Sequence, residues 1–372
     1  MRRCWTICLI LFCTLVTPCL RSAEPTATVT SVRTIVDDGW YNQATDLVIW
    51  KNFYWLGYRR GTKHGPIWGL DHGANSFGVI WRSNDLRRWH EAKVFDAPGG
   101  IIDGSGVNCP RFVPLEDRLH VFFTVHTPTK EGTGIRTFNS WTEDGVNWSN
   151  PTVISMDNHF PMLWRVRHHD DQFYCATCFL DRPGPKDHGP LDLLVSRDGI
   201  RWKKRVRISD DPPGAKNHFT EESDLVWLPD GELWCLIRPF ESARLYKSKP
   251  PYTVWDEGVD LGVWGHAPAF CAMDGEVYVS GRQGIYENGK HMGNTSALFH
   301  VTGETATVLA SFDTAEDASY PGLVSPEPGK LVMTYYSDGP YAKRGAKLKF
   351  FDQYKRKYSQ VDIFLAEIEI SK

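Results

Sequence analysis

Arg59, Arg238 and Arg282 each stand seven residues after the second residue of a tight turn, at Asn52, Gly231 and Gly275. Guanidinium groups repeated at one offset point to a shared anion-gripping site, because the planar fork donates two parallel hydrogen bonds to a carboxylate. Glu222, His266 and Tyr320 stand nine residues before turns of the same kind. In an antiparallel hairpin those two offsets fall at nearly the same level, far from the turn. Glu222 and Arg238 are therefore expected side by side at one rim. They bracket the apolar runs that flank Pro229, Asp230 and Gly231 in FTEESDLVWLPDGELWCLIRP, which reads as two strands and a tight turn.

The elements that must position these groups follow from the same turn grammar. Asn52, Asp117, Asp171, Gly231, Gly275 and Gly329 each lie between two apolar strands, at intervals of 44 to 65 residues. Short strands rich in Val, Trp, Tyr and Phe, cut by Gly, Pro and Asp, recur with no long helical periodicity. A period of that size with several strands per unit implies an all-β six-bladed β-propeller of four-stranded antiparallel blades. Residues 24–372 then form one domain. Thr26 to Val36 alternates as a strand ahead of the first unit and is expected to complete the last blade and close the ring, removing an exposed edge.

Arg2 and Arg3 precede an apolar run that ends near Ser22 and Ala23, so residues 1–23 read as a secretory signal and the mature chain as secreted or periplasmic. A run of this length also matches a short spanning helix, and an uncleaved anchor is the alternative. Four of the nine cysteines lie in that segment, leaving an odd five: Cys109, Cys175, Cys178, Cys235 and Cys271. An odd set cannot build a complete disulfide framework within one chain. Cys175 and Cys178 face opposite ways in a strand, which speaks against metal or redox chemistry. No metal and no cofactor are expected. Without Arg2, Arg3 and Arg21 the chain carries 39 basic residues against 45 acidic ones, which disfavours a nucleic-acid partner. The basic run 343–357 reads as an insertion loop or as a lid over substrate.

A second signal repeats within the units: SNDLRRW at 83–89, TEDGVNW at 142–148 and SRDGIRW at 196–202, with a degenerate copy, SKPPYTVW, at 248–255. A hydroxyl, an aspartate two residues on, a turn and a tryptophan let the carboxylate bond backbone amides while the indole packs between strands. Asp85, Asp144 and Asp198 are thus structural. The pattern resembles the Asp-boxes of the sialidase, or neuraminidase, superfamily, and the resemblance covers nearly the whole mature chain. Glu222 and Arg238 match the site glutamate and the arginine that grips the substrate carboxylate. SYPGLV at 319–324 resembles the segment carrying the catalytic tyrosine, which makes Tyr320 its match. YRRGTKHG at 58–65 and LWRVR at 163–167 look like segments of a bacterial branch often labelled exo-α-sialidase.

The resemblance implies a retaining exo-glycosidase acting on a terminal acidic sugar of a glycan. Where the sugar carries its carboxylate on the attacked carbon, an anionic nucleophile is repelled and a neutral tyrosine is not, which is why sialidases depart from the two-carboxylate scheme. Tyr320 is then the nucleophile and Glu222 its proton acceptor, with Arg238 and Arg282 on the carboxylate and His266 at a hydroxyl. The chain departs from the pattern in its first unit, where YNQATDL replaces an Arg-Ile-Pro motif. Arg59 or Arg60 is a replacement for the missing arginine, and Arg111 or Arg165 approaches the same channel. The acid/base aspartate is expected before the first heptad, where Asp71 is the only aspartate and His64 and His72 are neighbours. A non-catalytic glycan-binding propeller, or a polysaccharide lyase on the same scaffold, is the alternative.

Overall fold

The computed structural model describes residues 24–62, 64, 76–97, 106–129, 132–157, 160–177, 190–210, 222–238, 242–314, 317–341 and 360–372. Segment 1–23, Asp71, His72, Cys178 and the run 343–357 lie outside the described residues.

The described residues form 24 strands and no helix. After β1 (Thr26–Val36), the strands β2 (Tyr41–Trp50), β3 (Phe53–Gly61), β4 (Ser76–Ser83) and β5 (His90–Phe95) run side by side and antiparallel. The same meander is repeated by β6 (Gly106–Pro114), β7 (Leu119–Thr129), β8 (Gly132–Thr142) and β9 (Thr152–Val153), then by β10 (Arg167–His169), β11 (Gln172–Thr177), β12 (Leu191–Ser196) and β13 (Lys203–Ser209). It recurs in β14 (Ser223–Trp227), β15 (Leu233–Ile237), β16 (Arg244–Ser248) and β17 (Val259–Asp260), and in β18 (His266–Met273), β19 (Glu276–Glu287), β20 (Lys290–Val301) and β21 (Ala306–Phe312). A single parallel pair, Ser76 with Gly106, joins the first two meanders into one eight-stranded sheet.

The last group holds β22 (Ala318–Glu327), β23 (Lys330–Ser337) and β24 (Asp362–Ser371), and takes its fourth strand from the other end of the chain. β1 pairs antiparallel with β24, from Thr26 opposite Ser371 to Val36 opposite Ile363. Five of the six turn residues used above as references, Asn52, Asp171, Gly231, Gly275 and Gly329, have φ between +55° and +84°. Left-handed residues give hairpin turns the twist that the flanking strands need.

The apolar faces pack between successive groups, and the last group packs on the first. Leu56, Tyr58 and Val79 form one buried cluster with Val332, Tyr336 and Ile363. Burying a side chain such as Trp55 removes roughly 150–250 Å² from water, on the order of 4–6 kcal/mol at ~25 cal/mol per Å². The exposed heptad carboxylates do local work. Asp85 accepts the amides of Arg87 and Arg88, Asp144 those of Val146 and Asn147, and Asp198 those of Ile200 and Arg201, all at 2.8–2.9 Å.

The first strands of four groups bend at one level. Ala44, Cys109, Ala267 and the pair Ser319 and Tyr320 have positive φ, and the pairing register slips across each of these places. Such bulges re-aim side chains at the end of a strand, and non-glycine residues held this way cost roughly 1–3 kcal/mol each. Buried side chains from neighbouring groups hold the bent strands. Asp46 accepts the Phe112 amide and Asp224 the Phe270 amide, each at 2.8 Å.

Candidate active site

Ser223 pairs with Ile237, so Glu222 and Arg238 sit opposite each other just beyond the ladder, where the Arg238 amide donates to the Glu222 carbonyl at 3.0 Å. Their side chains meet with Arg238 Nη1 2.6 Å from Glu222 Oε1. The Tyr320 hydroxyl, 98 residues away in sequence, donates to the same Oε1 and accepts from Arg238 Nη1 at 3.1 Å. Tyr320 reaches this point because the bulge at Ser319 and Tyr320, with φ of +90° and +46°, turns the start of β22. The following Gly322 lets β22 lie against β2: a Cβ there would collide with the Leu47 amide nitrogen.

Burial and the adjacent Glu222 carboxylate raise the Tyr320 phenol far above the usual tyrosine range, against the opposing pull of Arg238 and Arg282. The tyrosine is therefore a neutral hydroxyl aimed at a carboxylate. Trp164 meets its ring edge-on at 5.5 Å. The Arg282 guanidinium lies 5.0 Å from the ring centroid.

Arg282 pairs across the ladder with His266, as the repeat offset predicts. Its Nε donates to the Ala318 carbonyl at 2.8 Å, and its Nη2 donates to the Tyr336 hydroxyl at 3.0 Å and lies 3.3 Å from Asp317 Oδ1. His266 is buried and stacks on Trp264 at 4.7 Å. Arg59, opposite Gln43, is fully buried, and burial pulls its guanidinium down to about 10. Arg111 is buried as well. It donates to the Thr45 carbonyl and rests over Trp164 at 5.1 Å, while its Nε and Nη2 make no hydrogen bond among the described residues.

Two arginines expected at the substrate are engaged elsewhere. Arg60 follows Arg59 in β3 and therefore points to the other face; it bonds the Tyr58 hydroxyl at 2.8 Å and pairs with Asp38 at 2.9 Å and with Glu91, on the outermost strand β5, at 3.6 Å. Arg165 spends its donors inside the protein, on Asp46 at 2.6 Å, the Pro268 carbonyl at 2.7 Å and the Pro321 carbonyl. It thereby ties β2, β18 and β22 together. Asp71 lies outside the described residues.

The structure adds a carboxyl that sequence reasoning missed. Asp317 Oδ1 accepts the Tyr336 hydroxyl at 2.8 Å, Oδ2 accepts the Tyr41 hydroxyl, and His64 Nε2 lies 3.5 Å from Oδ2. Burial, and then the neighbouring Asp338 carboxylate, raise Asp317 to about 8 in spite of the Tyr336 hydroxyl. One signal was present for part of this cluster: Tyr336 stands seven residues after Gly329, the offset shared by Arg59, Arg238 and Arg282. No comparable signal marks Asp317 or Tyr41.

No protein-family model and no curated protein matches the chain. Among solved structures, a protein of unknown function from Dyadobacter fermentans DSM 18053 superposes with a TM-score of 0.70 at 15% identity, covering 93% of this chain and 100% of that one. Trypanosoma rangeli sialidase in complex with the inhibitor DANA superposes with a TM-score of 0.60 at 9% identity, covering 92% of this chain. The chain has a sialidase-like propeller fold. The T. rangeli sialidase complex with 2,3-difluorosialic acid, a covalent intermediate, gives a TM-score of 0.59 at 10% identity over 92% of this chain. This chain spans about 60% of the length of those sialidase chains. At such identities the likeness speaks for the fold alone.

Proposed function

We propose that this propeller is a retaining exo-glycosidase that removes a terminal acidic sugar from glycans. The observation that carries the reading is the Tyr320 hydroxyl held on the Glu222 carboxylate, with Arg238 bonded to both. In this reading Tyr320 attacks the anomeric carbon while Glu222 takes the phenol proton, and a second acid protonates the leaving oxygen. Arg238 and Arg282 face the sugar carboxylate, and Arg111, whose buried Nε and Nη2 make no hydrogen bond among the described residues, is the candidate for a third arm. The six four-stranded groups are the blades of a closed ring, and these residues line one end of its channel. Residues 1–23 export the chain, so its glycan is met outside the cytoplasm. Among the described residues no helix is long and apolar enough to cross a membrane.

Hydrolysis is favoured over a lyase reaction because the partner of Tyr320 is a carboxylate able to take up its proton, while His266 stacks on Trp264. The test is a screen of the mature chain against aryl glycosides of sialic acids, other ulosonic acids, uronic acids and neutral sugars. Release of a saturated reducing sugar from an acidic glycoside, with retained configuration, is expected. An unsaturated product absorbing in the ultraviolet, or turnover of neutral sugars alone, would overturn the reading.

A further inference from the structure

In the third group the run RDGIRWKKRVR, from Arg197 to Arg207, holds six cations and one carboxylate, in a chain whose acidic residues outnumber its basic ones. The run spans the heptad turn at 196–202 and the start of β13, the outermost strand of that group. Lys204 and Arg207 are spent on Asp192 at 2.7 and 3.1 Å, and Arg201 on Asp198 at 2.8 Å. Arg197 and Lys203 are exposed and form no ion pair among the described residues. Neither the turn nor the outer strand calls for such a run. The heptad TEDGVNW at 142–148 closes its turn without a cation, and β21, the outer strand of the fifth group, carries no charge in ATVLASF. Protection of a sheet edge therefore leaves these cations unexplained.

Arg197, Arg201, Lys203 and Arg205 line a cleft of about 530 Å³ with Asp198 and Trp202. Arg205 crosses to the next group, where its Nε and Nη2 donate to the Pro251 carbonyl at 3.0 and 2.6 Å. Pro251 lines a second cleft of about 480 Å³ with Lys247, Lys249, Val254 and Trp255. The two clefts meet there as one groove, and each has the size of a ligand site, roughly 300–1,000 Å³. Val254 is 78% exposed, and Trp255 is half-buried on the same apolar cluster as Val206 of β13. The carboxylates of the second cleft are engaged locally: Asp256 accepts the Lys247 and Gly258 amides at 3.0 and 3.1 Å, and Glu232 accepts the Trp234 indole at 2.7 Å. Glu232 adjoins the turn at Gly231, whereas Glu222 and Arg238 stand at the opposite end of that hairpin. The groove is thus remote from Tyr320.

We propose that this groove binds a chain of an acidic polysaccharide, at a site separate from Tyr320 and Glu222. Arg197, Arg201, Lys203, Arg205, Lys247 and Lys249 face the carboxylates Asp198, Glu232 and Asp256 along it, an excess of three positive charges. That excess attracts carboxylate or sulfate groups, and a basic run of this kind suits a sulfated or uronate chain. Val254 and Trp255 supply an apolar strip on which a sugar ring can lie. Duplex nucleic acid carries one charge per ~1.7 Å, denser than this excess can match, whereas an acidic polysaccharide spaces its charges by a sugar or more. On the glycosidase reading the groove holds the polymer while its ends are trimmed, but binding here does not depend on that reading.

The experiment measures binding of the mature chain to immobilised heparin, alginate, neutral dextran and a DNA duplex at several salt concentrations. Wild type should bind heparin and alginate and leave dextran unbound. The variant Arg197→Ala/Lys203→Ala/Lys249→Ala, which changes exposed side chains only, should bind the two polyanions at least tenfold more weakly and with a shallower dependence on salt. Arg87→Ala/Arg88→Ala/Lys290→Ala removes the same charge from exposed positions elsewhere and should bind as wild type does. Tyr320→Phe should also bind as wild type does, so a failure of the catalytic reading is seen separately. Melting temperatures within a few degrees of wild type verify that the variants fold. Equal loss in the two triple variants would show an effect of net charge alone and overturn the groove. Tighter binding to DNA than to either polysaccharide, or no binding to heparin and alginate, would overturn the proposed partner.

Discussion

Aspartates in two regions of this molecule are held in opposite ways. In the heptad turns Asp85, Asp144 and Asp198 are exposed and accept backbone amides no more than three residues away. Those amides hold the Asp85 carboxyl down at about 2, and at Asp198 they outweigh partial burial to reach about 2 as well. Asp317 is buried, is bonded by Tyr41 from 276 residues away, and is raised to about 8. Backbone donors stabilise a carboxylate where water still reaches it, whereas desolvation disfavours the charge where it does not. The turns are built for stability by local geometry, and the cluster around Tyr320 and Asp317 gathers costly buried groups, the usual signature of a functional site.

The contrast breaks most sharply at Tyr320. Tyr320→Phe and Glu222→Gln should each lower kcat on an acidic aryl glycoside by about 10³-fold or more, on the order of 4 kcal/mol, with the melting temperature little changed. The double variant should be no worse than either, because the two act as a unit. A fluorinated substrate analogue should add its mass to the peptide containing Tyr320. Retention of most activity in Tyr320→Phe, or a label on another peptide, contradicts the assignment.

Arg238→Lys keeps the charge and loses the planar fork. It should reduce kcat/KM by roughly 2–4 kcal/mol, the range for a removed preorganised donor. A neutral glycoside turned over equally well by both proteins would argue against an anion clamp.

The Asp317 prediction concerns stability. Its folded pKa lies above the ordinary unfolded value, so between about 4 and 8 the folded chain keeps a proton that the unfolded chain has released. Stability should therefore fall as pH rises through that window, by up to about 1.4 kcal/mol per pH unit from this one site. Asp317→Asn should flatten the slope, measured by denaturant unfolding at pH 5 and pH 8. An unchanged slope would mean that Asp317 ionises normally.

The smallest effect is expected at Asp144, whose carboxyl is depressed mainly by the Asn147 and Val146 amides. A depressed acid contributes stability above its unfolded pKa and loses it as pH falls through the folded one. Asp144→Asn should lower the melting temperature by a few degrees at most at neutral pH, less in acid, and leave turnover unchanged. A loss of activity there would undo the division between the turns and the cluster around Tyr320.

The sequence by itself determined the strand grammar, the turn positions and the pairs that a single hairpin aligns. Glu222 with Arg238 and His266 with Arg282 were legible because register within a hairpin follows from its turn. The pairing of β1 with β24 was legible too, since an alternating strand without a partner must find an edge. Only the tertiary structure decided what those hairpin ends meet. Pleat alternation sets Arg60 on the face opposite Arg59, and Arg165 is tied to Asp46 and to the Pro268 and Pro321 carbonyls of distant strands. Asp317 and Tyr41 share no offset and no local pattern, and the segment YRRGTKHG that contains His64 says nothing of its partner; the three meet where the last group packs against the first, a long-range contact that periodicity along the chain does not encode.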